Sequence, residues 1–294
     1  MQLGLGTVQF GLDYGISNPK GRPSEEEVRS ILALAAERKI LIIDTAAVYG
    51  DSETLLGRCF PEKVPFRVVT KTRPLGECSD TVDTKTWIRD GLLRSLDRLR
   101  LESVDTLLVH HVSDLLGPSG DDIYEALMAA KCEGRTHKIG VSAYAGADID
   151  SVLLRYDIDL MQIPVNVLDQ RLLSGGQLAR LKKRAVEVHV RSVFLQGLLL
   201  MEPSATLSYF ESIPPQLLEW HDVLKEKNIT PVQGAFAFVH SLDVDIVLVG
   251  VLNAAQLAAN HKDFRLAKGI NIEFADFALN DEAYTNPSRW NWTL

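Results

Sequence analysis

Eight short β-branched or aliphatic runs alternate with longer amphipathic stretches from one end of this chain to the other. They lie at Leu3 to Thr7, Leu41 to Asp44, Arg67 to Lys71, Thr106 to His110, Lys138 to Ser142, Leu160 to Val165, Val188 to Val193 and Ile246 to Gly250. Strand and helix units repeated in this way are expected around a parallel sheet. Two of the intervening stretches carry clear helical signals. Ser24 stands where its hydroxyl caps a helix while Glu27 reaches back, a capping box, and Val28, Ile31, Leu32 and Ala35 then make one apolar face. Ile88, Leu92, Leu96 and Leu99 form a second stripe, with Arg89, Arg94 and Arg98 mostly off it.

A parallel sheet of this size either closes on itself or stays open. With 294 residues and no Gly/Ser/Pro-rich linker, the chain fits one closed α/β barrel, the (β/α)8 TIM-barrel architecture, as a single domain over residues 1–294. The open, doubly wound alternative lacks its marker. Gly4-Leu5-Gly6-Thr7 has no third glycine, and no GxxxxGK[ST] phosphate loop occurs anywhere. The segments Gly11 to Pro23, Arg73 to Asp83 and Leu199 to Pro215 exceed simple connections and are expected as loops over one barrel end, where they shape a pocket.

Charge narrows the partners. The formal net charge is -8, with 39 acidic against 31 basic residues and no dense Lys/Arg run, which argues against nucleic acid and anionic membrane and for a small molecule. Cys59, Cys78 and Cys132 are odd in number and lack CxxC spacing, so neither a disulfide framework nor a thiolate metal site is expected. No charged leader precedes an apolar stretch, and no apolar run reaches the roughly 18 residues of a membrane span, so a cytoplasmic protein is expected. Oligomeric state is left open between a monomer and a small homo-oligomer.

Barrels of this type place reactive groups at the C-terminal ends of strands or just after them. Asp44, Lys71 and His110 each end an aliphatic run, and Tyr49 follows Asp44 by five residues. A tyrosine with its ordinary pKa of about 10 is a poor acid at neutral pH. A nearby lysine favours the phenolate, an aspartate keeps that lysine charged, and a neutral histidine orients a carbonyl or shares the proton. Taken singly, Asp44 also fits a helix cap, Lys71 a solvated lysine, His110 a core histidine and Tyr49 a packed loop ring. Only the set points to chemistry. His111 is read as a pocket wall, and Phe10, Asp13 or Tyr14 as candidates near the mouth, against an ordinary loop over the same residues.

These motifs resemble the aldo-keto reductase family through nearly the whole chain. Gly4-Leu5-Gly6-Thr7 resembles its opening strand, Asp44-Thr45-Ala46-Ala47-Val48-Tyr49-Gly50 its aspartate and tyrosine segment, and Ser52-Glu53 through Gly57 the helix that follows. Lys71 and the segment Asp105 to His110 match its lysine and histidine strands. The resemblance implies a catalytic tetrad of Asp44, Tyr49, Lys71 and His110; the residues toward substrate are read as Tyr49, His110, His111 and Phe10, and no metal is expected. It also implies NADP(H) or NAD(H) as cofactor and an aldehyde, ketone, alcohol or sugar as substrate.

On the cofactor side, Gly6, Thr7 and Asp44 are counted with Ser142, although Ala143 stands where the family usually has asparagine. Gln162, in Gln162-Ile163-Pro164-Val165-Asn166, is similar to the glutamine that meets the nicotinamide carboxamide. Arg191-Ser192-Val193-Phe194-Leu195-Gln196 resembles the segment beneath the nicotinamide and pyrophosphate, with Arg191 replacing a stacking tyrosine. Gly250, Asn253, Gln256 and Asn260 resemble the adenosine-binding end. That end lacks the basic residues usual in NADPH-specific members, so tolerance of NADH is expected. Because the opening strand begins at once, the family's N-terminal hairpin is expected to be missing and other residues to cover the barrel bottom. Trp290 and Trp292 near the end of the chain are read as pocket-lining or as packing. Two rival readings remain open: a non-catalytic nicotinamide-binding redox sensor or assembly subunit, and a lyase using Lys71 as a Schiff base.

Overall fold

The computed structural model describes residues 1–290 apart from 17, 19, 20, 80, 209 and 211. Its strands are β1 (Gln2–Gly6), β2 (Ile42–Asp44), β3 (Arg67–Lys71), β4 (Val104–Val109), β5 (Thr136–Ser142), β6 (Leu160–Pro164), β7 (Glu187–Arg191) and β8 (Ile246–Gly250). All pair in parallel in chain order, and β8 returns to β1 to close the barrel. Every aliphatic run holds one strand. β7 stops at Arg191 instead of Val193 because Ser192 turns to a φ of 59°, a left-handed conformation that ends extended chain.

The barrel interior explains where the polar residues go. Ile42, Val69, Leu108, Leu160, Ile246 and Leu248 form an apolar plug separate from the larger core between the strands and the helices. Glycines make room for it. A Cβ on Gly140 would lie 1.9 Å from the Leu160 carbonyl oxygen, and one on Gly4 would lie 2.8 Å from Leu248. Side chains alternate across a strand, so residues two positions beyond the plug point inward again, one layer nearer the C-terminal end. Those residues are Asp44, Lys71, His110, Gln162 and Gly250, joined by Ser142 two beyond Gly140 and Gly6 two beyond Gly4. At the opposite end Lys138 meets Glu187 at 2.5 Å, and Glu187 meets His189 at 2.9 Å.

The outer helices form for the expected reasons, with one correction. Ser24 accepts from the Glu27 amide at 3.2 Å, but no return bond from the Glu27 side chain forms, so the capping box is half built. A complete box occurs instead at Thr230 and Gln233. Helix Glu25–Glu37 buries Val28, Ile31, Leu32 and Ala35, and the larger three are worth about 1.5–3 kcal/mol each. Helix Thr84–Leu99 is capped by Asp83, buries Ile88, Leu92, Leu96 and Leu99, and ends at Arg100 in the left-handed region. The three long segments follow β1, β3 and β7, so they gather at the same end as the inward polar layer. Among the described residues, no helix is long and apolar enough to cross a membrane.

Candidate active site

Asp44 and Lys71 form the base of the mouth. The Thr7 amide and hydroxyl both donate to the Asp44 carbonyl oxygen, at 2.9 and 2.8 Å, and Ser52 Oγ donates to the Thr7 carbonyl at 2.9 Å, which fixes the end of β2. Lys71 is 1% exposed. Its Nζ donates to Asp44 Oδ1 and Oδ2 at 2.8 Å each and to the Thr45 carbonyl at 2.9 Å. An ammonium has three N–H donors, so all are committed. Burial draws the Lys71 pKa down while Asp44 opposes that shift. Gln162 Nε2 adds a 2.6 Å bond to Asp44 Oδ1.

Tyr49 lies in the turn after β2, with Lys71 Nζ over its ring at 5.0 Å from the centroid and His110 edge-on at 5.8 Å. No hydrogen bond joins it to Lys71, and the ammonium faces the ring instead. Burial, with the Asp44 carboxylate second, holds the Tyr49 phenol well above its ordinary range, and Arg191 works against both. Gly11 packs on this turn so closely that a Cβ there would lie 1.8 Å from the Tyr49 carbonyl oxygen. Burial first, then the charges of Lys71, His111 and Arg191, pushes the His110 pKa down to about 3. Its imidazole is neutral at pH 7, and its Nδ1 is buried without a partner. The exposed His111 ring stands 5.0 Å away.

The remaining candidates divide between ligand-facing and structural. Ser142 is buried at the end of β5, level with Gln162 on β6, whose Oε1 is buried and unpartnered. Asn166 accepts from the amides of Leu168 and Asp169, which shapes the loop after β6. After β7, Ser192, Leu195 and Gln196 all have φ between 46 and 59°. Non-glycine residues held this way are costly and gather at ligand sites. Phe194 packs edge-on against Phe236. Asn253 caps helix Ala254–Leu266 by accepting from the Gln256 amide at 2.9 Å, and Gln256 Oε1 accepts from the Leu252 amide at 2.7 Å. Asn260 is half-buried on the same helix, and Gly250 is exposed beside Gln9.

Two expected site residues do not face the mouth. Thr7 is fully buried, its hydroxyl donating to Asp44 and its oxygens taking the Ser52 hydroxyl, so its side chain orients β2 and leaves no surface for a cofactor. Phe10 is 2% exposed and belongs to the outer apolar core, because the helical turn Val8–Gly11 rotates it away from the mouth. Two tyrosines stand beside the mouth residues: Tyr14, which the sequence offered as a candidate near the mouth, and Tyr144, which it did not single out. Tyr14 sits near Tyr49, Tyr144 and Arg191 and has its pKa pushed up to about 12, chiefly by burial. Tyr144 lies 4.0 Å beneath the Arg191 guanidinium. Trp290 packs edge-on against Phe210 and is largely buried, while Trp292 lies outside the described residues.

Comparison with known proteins gives one answer throughout. A sequence model of the Aldo/keto reductase family matches residues 2–269. An aldo-keto reductase of Mycobacterium ulcerans is 28% identical over 227 residues, covering 75% of this chain and 78% of that protein. A methylglyoxal reductase of Escherichia coli is 32% identical over 150 residues, covering 48% and 47%. A solved structure from Pseudomonas aeruginosa, described as an aldo-keto reductase, superposes with a TM-score of 0.67 at 26% identity over 90% of each chain. A holo aldo-keto reductase of Bacillus halodurans, 22% identical over 94% of this chain and 89% of its own, shares the fold with a TM-score of 0.70. The chain belongs to the aldo/keto reductase family, oxidoreductases that act on small-molecule carbonyl compounds and bind nicotinamide cofactors.

Proposed function

We propose that this protein reduces an aldehyde or ketone with a reduced nicotinamide cofactor, and that Tyr49 delivers the proton. The observation that carries the reading is the convergence of Tyr49, His110 and the Lys71–Asp44 pair in one barrel mouth. The orphan acceptor Gln162 Oε1, buried beside Asp44, fits the amide of a nicotinamide carboxamide. When bound, the cofactor supplies the hydride that goes to the carbonyl carbon.

The protein supplies the rest. The neutral His110 orients the carbonyl oxygen through a hydrogen bond, and the Tyr49 hydroxyl gives its proton to that oxygen as negative charge develops there. Because burial raises the phenol pKa, Tyr49 keeps its proton at neutral pH and gives it to the nascent alkoxide. Lys71 then attracts the phenolate across the ring, and Asp44 prevents the ammonium from discharging in its buried site. Preformed geometry of this kind contributes proximity as well as charge.

The adenosine end supports loose discrimination between cofactors. Gln256 is committed to the Leu252 amide, and residues 254–260 carry no cation for a 2′-phosphate. A preference for NADPH below about 100-fold, or about 2.7 kcal/mol, is expected. The test is oxidation of NADH and of NADPH by simple aldehydes and keto sugars. Consumption of either supports reduction. Tight binding of both with turnover of neither moves the redox-sensor reading ahead.

A further inference from the structure

The apolar plug inside the barrel is broken at β7. Where the other strands contribute Ile42, Val69, Leu108, Leu160, Ile246 and Leu248, or a glycine, β7 contributes His189, whose register partner on β8 is Ile246. Val188 and Val190 on either side of it belong to the outer core, so by alternation the His189 ring points inward. It is fully buried. Its Nε2 meets Glu187 Oε1 at 2.9 Å, and Glu187 is held ionised by His189 first and then by Lys138, with its pKa drawn down to about 2. A carboxylate only accepts, so Nε2 carries a proton and, in the neutral ring, Nδ1 is left as an acceptor. That nitrogen is buried without a partner.

The same residue stands beside the cofactor-facing glutamine. Gln162 on β6 is the register partner of His189 on β7, and neighbouring strands run about 4.8 Å apart, so the two inward side chains lie against each other. Gln162 is also fully buried, with Nε2 fixed on Asp44 Oδ1 at 2.6 Å and Oε1 unpartnered. Two acceptors do not bond each other. A molecule with two hydrogens to donate joins them, and a water fits, because a buried water is held by two or more polar groups. The amide oxygen has a second acceptor position, which stays open to the N–H of a nicotinamide carboxamide. A polar chain of Lys138, Glu187, His189 and Gln162 then runs from the N-terminal end of the barrel to the mouth.

We propose that His189 is a positioning residue for the nicotinamide: its Nδ1, through a water shared with Gln162 Oε1, sets the angle at which that oxygen meets the carboxamide. This rests on the reading of Gln162 given above. His189 acts through Gln162 alone, so its effect falls on recognition of the carboxamide and not on proton delivery by Tyr49.

Calorimetry compares the binding of NADP+ with that of its 3-acetylpyridine analogue, in which a methyl replaces the carboxamide NH2 and the carbonyl is kept. The proteins are wild type, Gln162→Met, His189→Leu and His189→Asn. Wild type is expected to bind the carboxamide form at least about fivefold more tightly, or about 1 kcal/mol. Gln162→Met brings the ratio near 1, His189→Leu brings it below about twofold, and His189→Asn, whose amide oxygen stands close to the place of Nδ1, restores it to at least about threefold. A His189→Leu protein that loses affinity for both forms equally, with its ratio kept while that of Gln162→Met falls, makes His189 a core residue only and overturns this proposal alone. A wild-type ratio near 1, or a ratio unmoved by Gln162→Met, overturns the Gln162 reading and this proposal with it. Should the His189 variants not fold, a crystal structure of the wild-type protein decides. An ordered water within about 3.2 Å of both His189 Nδ1 and Gln162 Oε1 is expected, and an Nδ1 bonded elsewhere, or no water between the two atoms, overturns the proposal.

Discussion

Lys71→Met separates the charge of the buried lysine from its bulk. Methionine keeps most of the length and apolar volume but leaves the Asp44 carboxylate, whose side chain is 7% exposed, with Gln162 Nε2 as its remaining side-chain partner. Breaking a buried pair from one side costs about 3–5 kcal/mol, because the stranded charge is still desolvated. At roughly 2 °C or more per kcal/mol for a chain of this size, the melting temperature falls by at least about 6 °C. Adding Asp44→Asn removes the stranded charge, so the double variant recovers at least about 2 kcal/mol despite carrying more substitutions. Differential scanning calorimetry at pH 7 on the three proteins reads both steps. A Lys71→Met protein melting within 2 °C of wild type, or a double variant less stable than the single, refutes the tight buried pair.

Three further outcomes follow from the packing and the titrating groups. Gly140→Ala places a methyl 1.9 Å from the Leu160 backbone oxygen, and because backbone is in the way the expected cost is at least about 2 kcal/mol, read as a shift in urea midpoint. Glu187, paired with His189 and Lys138, has its pKa drawn down to about 2. That stabilisation is present above the ordinary glutamate pKa and is lost as pH falls from about 4.5 toward 2, so the melting temperature of Glu187→Gln is expected to fall less steeply than wild type over that range. His110, with its pKa near 3, is expected to show no ring titration in the NMR spectrum between pH 8 and 5, with Gln substitution assigning its resonance; an inflection near pH 6.5 contradicts a neutral buried imidazole.

Most of the fold was legible because two periodicities in the sequence are physical. Strand side chains alternate, so the same aliphatic runs that revealed the strands also placed Asp44, Lys71, His110, Ser142 and Gln162 in one inward layer. Helix stripes such as Val28 to Ala35 carried over for the same reason. Direction was lost wherever the chain is irregular. Phe10 looked ligand-facing by its nearness to β1, but the single helical turn after the strand swings it into the outer core. Thr7 was taken for a ligand contact, and nothing in the sequence showed that Ser52, 45 residues on, would engage its hydroxyl. Tyr14 and Tyr144 lie in loops where no period dictates facing, and Arg191 was recognised without the ring that clamps it. Glu27 stands at capping-box spacing yet leaves the box half formed, since spacing alone does not decide whether an exposed side chain spends its entropy on one bond.

Single-turnover oxidation of bound NADPH or NADH by an aldehyde, in wild type and Tyr49→Phe, bears most directly on the assigned chemistry. With the proton donor removed and the ring kept, the rate is expected to drop about 10²–10⁴-fold while cofactor affinity changes less than about threefold. A Tyr49→Phe protein that turns over within tenfold of wild type contradicts proton delivery by Tyr49.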